Sequence, residues 1–281
     1  MTIIVKCFEC DKRYRCPDKR AGKRFKCREC ETILTVPEPD EPPRTDDGTA
    51  ILRHEARNRD FEIAAGDEQN IEAISDHIEQ HIGPVEMVFH EIISDIVHID
   101  VHWVEPSIDR PFHTLVTSGM SDLPMTVPDE LHDNQYAELM ITLPDDWKID
   151  QTSFEDERWY WPIRLLKQLA RLPHEYETWL GIGHTVPNGD PADPYHSSTN
   201  LCGALIAPSI TVADDGFHQL ESLDKGIIRF FSVVPLHREE MNFKLSKGLD
   251  QLFLKLEQHQ VTDVIDIDRI NTCRKKRFGL F

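Results

Sequence analysis

The sequence predicts an α+β fold, with helices packed on a mixed, largely antiparallel sheet, preceded by a small cysteine-rich domain. Three observations support this prediction. Apolar residues alternate in some segments, as in strands, and recur every three or four residues in others, as in helices. Two Cys-x-x-Cys pairs lie within the first 30 residues. An acidic, proline-rich stretch then separates residues 1–37 from residues 51–281.

Four cysteines define the first domain. Cys7 and Cys10 form one Cys-x-x-Cys pair, and Cys27 and Cys30 form the other, 16 residues later. Two such turns can present four thiolates tetrahedrally to one Zn²⁺ at about 2.3 Å. In a reducing compartment, clustered cysteines indicate metal ligands more than disulfides. We therefore predict one structural zinc ion on these four residues, with Cys16 as a buried residue outside the site.

Short strands are expected on either side of both pairs, at residues 3–6, 13–15, 24–26 and 33–36. A segment of roughly 36 residues buries too little surface to fold alone, so zinc binding and folding should be one event. With Tyr14, Ala21-Gly22-Lys23 and Val36-Pro37, residues 3–37 resemble the short zinc ribbons at the N-termini of many bacterial proteins. The fold prediction thus includes a small N-terminal zinc ribbon over residues 1–37.

Charge is distributed unevenly along the 281 residues. Residues 1–36 carry ten Lys and Arg against five Asp and Glu, a net charge of +5, whereas the remainder carries 21 against 45, a net charge of −24. Such an acidic body repels phosphate, which argues against nucleic acid as the partner of the large domain. Nucleic-acid targeting through the basic ribbon is a weaker alternative. No apolar run reaches the roughly 18 to 20 residues that span a bilayer, so we expect a cytoplasmic protein without membrane contact.

The composition of the segment between the two domains predicts a linker at residues 38–50. Residues 37–48 contain four prolines, five acidic residues and no apolar residue. Such a stretch cannot pack into a core, and repeated proline favours extended backbone. We expect it to hold the ribbon apart from the large domain, residues 51–281.

Helices and strands are both expected in the large domain. A first helix is predicted at residues 70–82, and a second begins at Trp161-Pro162, because proline is favoured at the first helical position, and ends at Pro173. A last helix covers residues 238–258. Strands are expected at residues 85–89, 96–104, 112–117, 137–143, 178–183, 201–207 and 227–234.

The stretch HIDVHW places three potential metal ligands in one strand. His98, Asp100 and His102 share a face, since alternate side chains of a strand point the same way. The two histidines lie about 13 Å apart, however, so one ion would need a further ligand from elsewhere, such as His90 or His113. A metal-dependent hydrolase using His98, Asp100 and His102 is the alternative function, against a structural strand with a buried, hydrogen-bonded Asp100.

A further candidate is the segment between the second helix and the next strand. Tyr176, Trp179 and His184 form either a peptide-binding lip or part of the core and sheet edge.

Several ordered motifs of the large domain resemble the suppressor-of-fused domain in its bacterial form, over about residues 70–271. They are Phe89-His90-Glu91 with Ile99-Asp100-Val101, residues 114–121, Tyr136-Ala137-Glu138-Leu139, Trp161-Pro162, residues 179–184, and Pro235-Leu236 with Glu239-Glu240-Met241.

The resemblance implies a non-enzymatic module that binds a protein partner, as a regulator or as an immunity protein that neutralises a toxin. A basic toxin would suit the acidic body. The same resemblance implies that Asp100 is a structural residue and that the partner-binding region is about residues 171–184. Eukaryotic relatives place an acidic residue just before the histidine that matches His184, whereas this chain has Gly183.

Overall fold

The computed structural model describes residues 2–7, 9–10, 12–17, 20–37, 51–54 and 60–274. The chain divides into two compact units, Met1–His54 and Glu55–Phe281. The predicted linker at residues 38–50 lies outside the described residues.

Two hairpins make up the small unit. β1 (Thr2–Lys6) pairs with β2 (Arg13–Pro17), and β3 (Arg24–Lys26) pairs with β4 (Ile33–Thr35), both antiparallel. Each Cys-x-x-Cys pair lies in the turn of one hairpin. Cys16 is buried in the small core of this unit.

One eight-stranded sheet forms the centre of the large unit. Its strands are β5 (Val85–Phe89), β6 (Asp100–Val104), β7 (Phe112–Ser118), β8 (Tyr136–Pro144), β9 (Thr185–Pro187), β10 (Leu201–Ala207), β11 (Gln219–Ser222) and β12 (Gly226–His237). The order is β5-β6-β7-β8-β12-β10-β9, with β11 paired to the first part of β12. β8 and β12 run parallel, and the other pairs of this sheet are antiparallel. The predicted mixed, largely antiparallel sheet is confirmed.

Helices cover both faces of the sheet. They are α1 (Glu68–His81), α2 (Glu157–Glu175), α3 (Arg238–Lys247) and α4 (Leu249–Gln258). Leu166 and Leu169 of α2 are buried in the core of one face, whereas Ile74 and Ile78 of α1 are buried with Phe217 in the core of the other. Among the helices of the described ranges, none is long and apolar enough to cross a membrane.

Two of the predicted strands differ from the structure. The strand expected at residues 96–104 begins only at Asp100, because Ile96 has a φ of 68°, in the left-handed region. Residues 178–183 are not a strand: they end in a turn, and the chain becomes extended from Thr185 onward as β9.

Two predicted helices also have different ends. α2 begins four residues before Trp161, because the Asp156 side chain accepts a hydrogen bond from the Arg158 amide and caps the helix there. Pro162 and Pro173 therefore lie inside α2 rather than at its ends. The helix expected at residues 238–258 is divided into α3 and α4 at Gly248, whose φ of 86° is incompatible with a continuous helix.

A buried carboxylate joins β7, β8 and the turn after β7. Glu138 is fully buried, and one oxygen accepts hydrogen bonds from the amide and the hydroxyl of Ser121 at 2.9 and 2.6 Å. The other oxygen accepts from the Thr117 hydroxyl at 2.6 Å. Burial nevertheless outweighs these hydrogen bonds and raises the pKa of Glu138 to about 7.

We expect Glu138 to make the folded state less stable as pH rises. A glutamate in the unfolded chain loses its proton near pH 4.3, whereas the folded state holds the proton up to about pH 7, so folding takes up a proton in this window. This difference corresponds to roughly 3 kcal/mol lost between about pH 4.5 and 7. Urea unfolding at several pH values should show that Glu138→Gln gains stability relative to wild type as pH rises, whereas the exposed control Glu221→Gln does not. A constant difference between Glu138→Gln and wild type would contradict this expectation.

Candidate functional site

The four predicted zinc ligands come together at the tips of the two hairpins of the small unit. All four Sγ atoms lie within 4.8 Å of one another, with Cys7 3.5 Å from Cys30 and Cys10 3.4 Å from Cys27. These separations far exceed the roughly 2.05 Å of an S–S bond. They are close to the roughly 3.8 Å that separates two sulfurs on a tetrahedral ion with 2.3 Å bonds. The cluster can therefore hold one metal ion.

Neighbouring hydrogen-bond donors stabilise thiolates in this cluster. The Tyr14 hydroxyl accepts a hydrogen bond from the Arg28 amide at 2.7 Å and lies 3.0 Å from the Cys27 sulfur, so its own proton is directed at that sulfur. Burial opposes ionisation of Cys27, but this hydroxyl and nearby amides lower the pKa of Cys27 to about 6. The hydroxyl and amide of Thr32 likewise lower the pKa of Cys30. Because the thiolate is the form that binds metal, these contacts favour metal binding.

The second predicted group, on β6, is only partly assembled. Asp100 is 1% exposed, and one of its oxygens lies 3.0 Å from Nε2 of His98. Its other oxygen lies 2.8 Å from Nδ1 of His90, which follows β5 and stands opposite Asp100 because Phe89 pairs with Val101.

His102 is not part of that group. Its Nε2 lies 2.9 Å from the hydroxyl of Ser118 on β7, and burial lowers its pKa to about 4. His113 also lies outside that group, and its Nδ1 accepts a hydrogen bond from the Trp103 indole at 3.0 Å. The hydrolase hypothesis was therefore wrong to include His102 among the metal ligands. The potential ligand atoms that lie within 4.8 Å of one another here belong to His90, His98 and Asp100.

The three predicted partner-binding residues lie between α2 and β9, and all are half-buried. Trp179 and His184 are in contact, edge to face, with ring centroids 4.2 Å apart. Tyr176 is the C-cap residue of α2, three residues before Trp179. Burial, together with the charge of Lys244 on α3, lowers the pKa of His184, so this ring is neutral near pH 7.

β9 is an edge strand of the sheet, paired with β10 on one side. The His184 carbonyl accepts a hydrogen bond from Ile206, and the Asn188 amide donates one to Cys202, so both residues face β10. Backbone groups alternate in direction along a strand, so the amide and carbonyl of Thr185 point away from the sheet. Beside β9 lies a cavity of about 80 Å³, whose lining includes Val186 and Leu169.

Backbone geometry explains the glycine that precedes His184. Gly183 has a φ of 89°, in the left-handed region. A Cβ at this position would lie 2.6 Å from a methyl group of Leu249 on α4. The positive φ and this close approach both disfavour a larger side chain at position 183.

Sequence reasoning missed a half-buried ion-pair cluster next to the group on β6. Glu91 is hydrogen-bonded to Arg171 of α2, lies 3.5 Å from Lys167, and accepts a hydrogen bond from Ser94 at 2.7 Å. Burial opposes ionisation of Glu91, but these donors lower its pKa. The sequence carries no local signal for a pair separated by 80 residues.

Comparisons with known proteins agree with this architecture. In structure, the chain is similar to a suppressor of fused homologue from Neisseria gonorrhoeae, with a TM-score of 0.55 and 18% identity over 74% of this chain and all of that one. It is also similar to suppressor of fused in the Sufu–Fu complex, with a TM-score of 0.53 and 17% identity over 72% of this chain and 92% of that one. At these identities the likeness shows the fold alone. No curated protein matches the chain in sequence.

A family model provides the assignment. The model for the suppressor of fused protein (SUFU) matches residues 95–270, more than half of the chain. This range contains β6 to β12 and all the helices after α1. The chain therefore belongs to the suppressor of fused family, a family of protein-interacting regulators.

Proposed function

We propose that this chain is a non-enzymatic cytoplasmic module that binds a short segment of a protein partner as an added strand on β9. The observation that carries this proposal is that β9 is an edge strand among the described residues, with the backbone of Thr185 pointing outward directly after His184, which contacts Trp179. Main-chain hydrogen bonds of an edge strand provide affinity, and side pockets provide specificity. The similar suppressor of fused chain in the Sufu–Fu complex supports a protein partner.

Charge indicates a basic partner. Between Arg171 and Lys225 the sequence contains no Lys or Arg, and four acidic residues lie at positions 175, 177, 190 and 193, on either side of β9. Residues 37–281 carry a net charge of −24. Opposite charge accelerates association and disfavours wrong partners. Two kinds of partner fit this chemistry, a basic toxin that the chain neutralises as an immunity protein and a basic segment of a protein that it regulates.

We also propose that the cysteine cluster binds one structural zinc ion. Four cysteine sulfurs at a spacing that suits a tetrahedral ion are typical of closed structural zinc sites. Among the described residues of this unit, the buried core is Val5, Leu34 and Val36 with three cysteines, and Tyr14 and Phe25 pack against it. This is little apolar surface for a stable fold. Zinc would supply the remaining stability.

The outward amide of Thr185 provides a test of the edge-strand proposal. Thr185→Pro removes this donor without removing an amide that faces β10, whereas Thr185→Val keeps the amide and the shape of the side chain. The tagged full chain recovers its partner from its source cells, and the affinity of the purified partner is then measured by titration calorimetry. We expect Thr185→Pro to weaken binding about tenfold, the effect of one or two lost hydrogen bonds, and Thr185→Val to bind like wild type.

Two outcomes would contradict the proposal. One is equal affinity of Thr185→Pro and Thr185→Val, with both chains as stable as wild type in urea unfolding. The other is partner-induced protection from hydrogen exchange at a site other than β9. If the recovered partner is a toxin that co-expression of this chain neutralises, immunity is favoured over regulation.

A further inference from the structure

We propose that His90, His98 and Asp100 bind a divalent transition-metal ion, at a site separate from the four cysteines. The ligand set is two imidazole nitrogens and one carboxylate, which suits ions such as Zn²⁺ and Co²⁺. This inference is independent of the proposed binding of a partner on β9.

The distances between the three side chains fit a shared ion. The two oxygens of Asp100 lie 2.8 Å from Nδ1 of His90 and 3.0 Å from Nε2 of His98. Ligand atoms on an ion with bonds of about 2.0–2.2 Å are roughly 3–3.5 Å apart. One ligand atom from each of the three residues lies within 4.8 Å of the other two, a spacing that a single ion can bridge. The carboxylate is also fixed in place, since it accepts a hydrogen bond from the Glu91 amide at 3.1 Å.

The hydrogen bonds around His98 direct a bare nitrogen towards Asp100. The hydroxyl of Ser94 donates its only proton to Glu91 at 2.7 Å. The Ser94 oxygen therefore accepts a hydrogen bond from Nδ1 of His98, 3.0 Å away. With its proton on Nδ1, a neutral His98 presents the lone pair of Nε2 to a carboxylate oxygen. This contact is attractive only if a second proton or a metal ion lies between them. A ring nitrogen held by a hydroxyl–carboxylate pair is also the usual support of a metal-binding histidine.

The surroundings favour a cation with open coordination positions. The group lies at one side of a groove of about 700 Å³ between α1 and β6, and Glu68, Glu72 and Asp76 of α1 also line this groove. Among the described residues that line it, none is Lys or Arg. The buried Nδ1 of His102, another lining residue, has no hydrogen-bond partner in the described structure. Three protein ligands at the side of an open groove leave coordination positions for water or a small ligand.

Titration of Co²⁺ into the full chain whose cysteine cluster already holds zinc tests this proposal. We expect one further equivalent to bind, with visible bands of cobalt on nitrogen and oxygen and without the intense near-ultraviolet band of thiolate ligation. His90→Gln should weaken this equivalent at least about 100-fold, since loss of a direct ligand exceeds the 10–100-fold effect of losing a supporting contact. The side chain of His90 is 67% exposed, so this substitution leaves the fold intact. Asp100→Asn should have the same effect on cobalt.

His132→Gln is the matched control, because His132 is exposed and lies outside the groove. It should bind the further equivalent like wild type. Failure of wild type to bind more cobalt at millimolar concentration would overturn the proposal, as would a further equivalent that His90→Gln and His132→Gln bind equally well.

Discussion

Replacing Cys27 with serine should abolish metal binding by the small unit and unfold it. The Cys27 sulfur lies 3.4 Å from that of Cys10 and accepts the proton of the Tyr14 hydroxyl, so it is the ligand with the most support from its surroundings. A serine hydroxyl is a poor zinc ligand and stays protonated. Since the core of this unit is so small, loss of the metal should remove the fold as well.

Cys16 provides a control from the same unit. It is buried like Cys27 but lies in β2, outside both Cys-x-x-Cys pairs and outside the four-sulfur cluster. Cys16→Ser should therefore keep the zinc ion, with at most a small loss of stability. The measurement is the zinc content after gel filtration, together with amide chemical-shift dispersion of the residues of the small unit. Equal loss of zinc from Cys16→Ser and Cys27→Ser would argue against the assigned ligands.

Features set by neighbouring residues were predictable from the sequence. The spacing of Cys7, Cys10, Cys27 and Cys30 predicted a cluster that the structure assembles, because each pair occupies a tight turn of its own hairpin. The alternating pattern on β8 predicted its strand to within one residue at each end. In both cases the information lies within a few residues of chain, where periodicity and turn chemistry determine the conformation.

Features that depend on helix caps, on unusual backbone angles or on pairing between distant strands were not predictable in the same way. Trp161-Pro162 has the composition of a helix start, but Asp156 caps the chain earlier and the proline is accommodated inside α2. Gly248 ends α3 through a positive φ, which a helical pattern of side chains does not reveal. The cluster on β6 contains His90 rather than the predicted His102. This could be foreseen only from the pairing of β5 with β6, since the residues of one strand face do not specify which loop lies opposite.

Glu240→Ala should destabilise the large unit by about 3–5 kcal/mol, the usual cost of leaving one member of a buried ion pair without its partner. Glu240 is fully buried, and its two oxygens accept hydrogen bonds from the guanidinium of Arg269 at 2.6 and 2.7 Å. The same carboxylate accepts from the amides of His237 and Thr272, both at 2.9 Å. It therefore joins the start of α3 to the segment that follows α4.

The protonation of Glu240 gives this prediction a pH dependence. Burial opposes ionisation, but the hydrogen bonds and charge of Arg269 outweigh it and hold the pKa of Glu240 below its usual value. Because the folded pKa is the lower one, the contribution to stability is complete above the pKa of an unfolded glutamate, about 4.3, and is lost as pH falls through the folded value. Glu240→Ala should thus lose less stability than wild type on acidification below pH 4.

A double-mutant cycle with Arg269→Met separates the ion pair from general damage to the core. Each single variant leaves one buried charge without a partner, whereas the double variant leaves none, so the double variant should be less destabilised than the sum of the single variants by more than about 1 kcal/mol. The control is Glu239→Ala, whose exposed carboxylate accepts one hydrogen bond from Asn271 at 2.7 Å and should cost less than about 1 kcal/mol. Additive losses at Glu240 and Arg269 in urea unfolding would mean that the two residues stabilise the fold separately. Non-additive losses would mean that Glu240 and Arg269 act as one unit, which joins the start of α3 to the segment after α4.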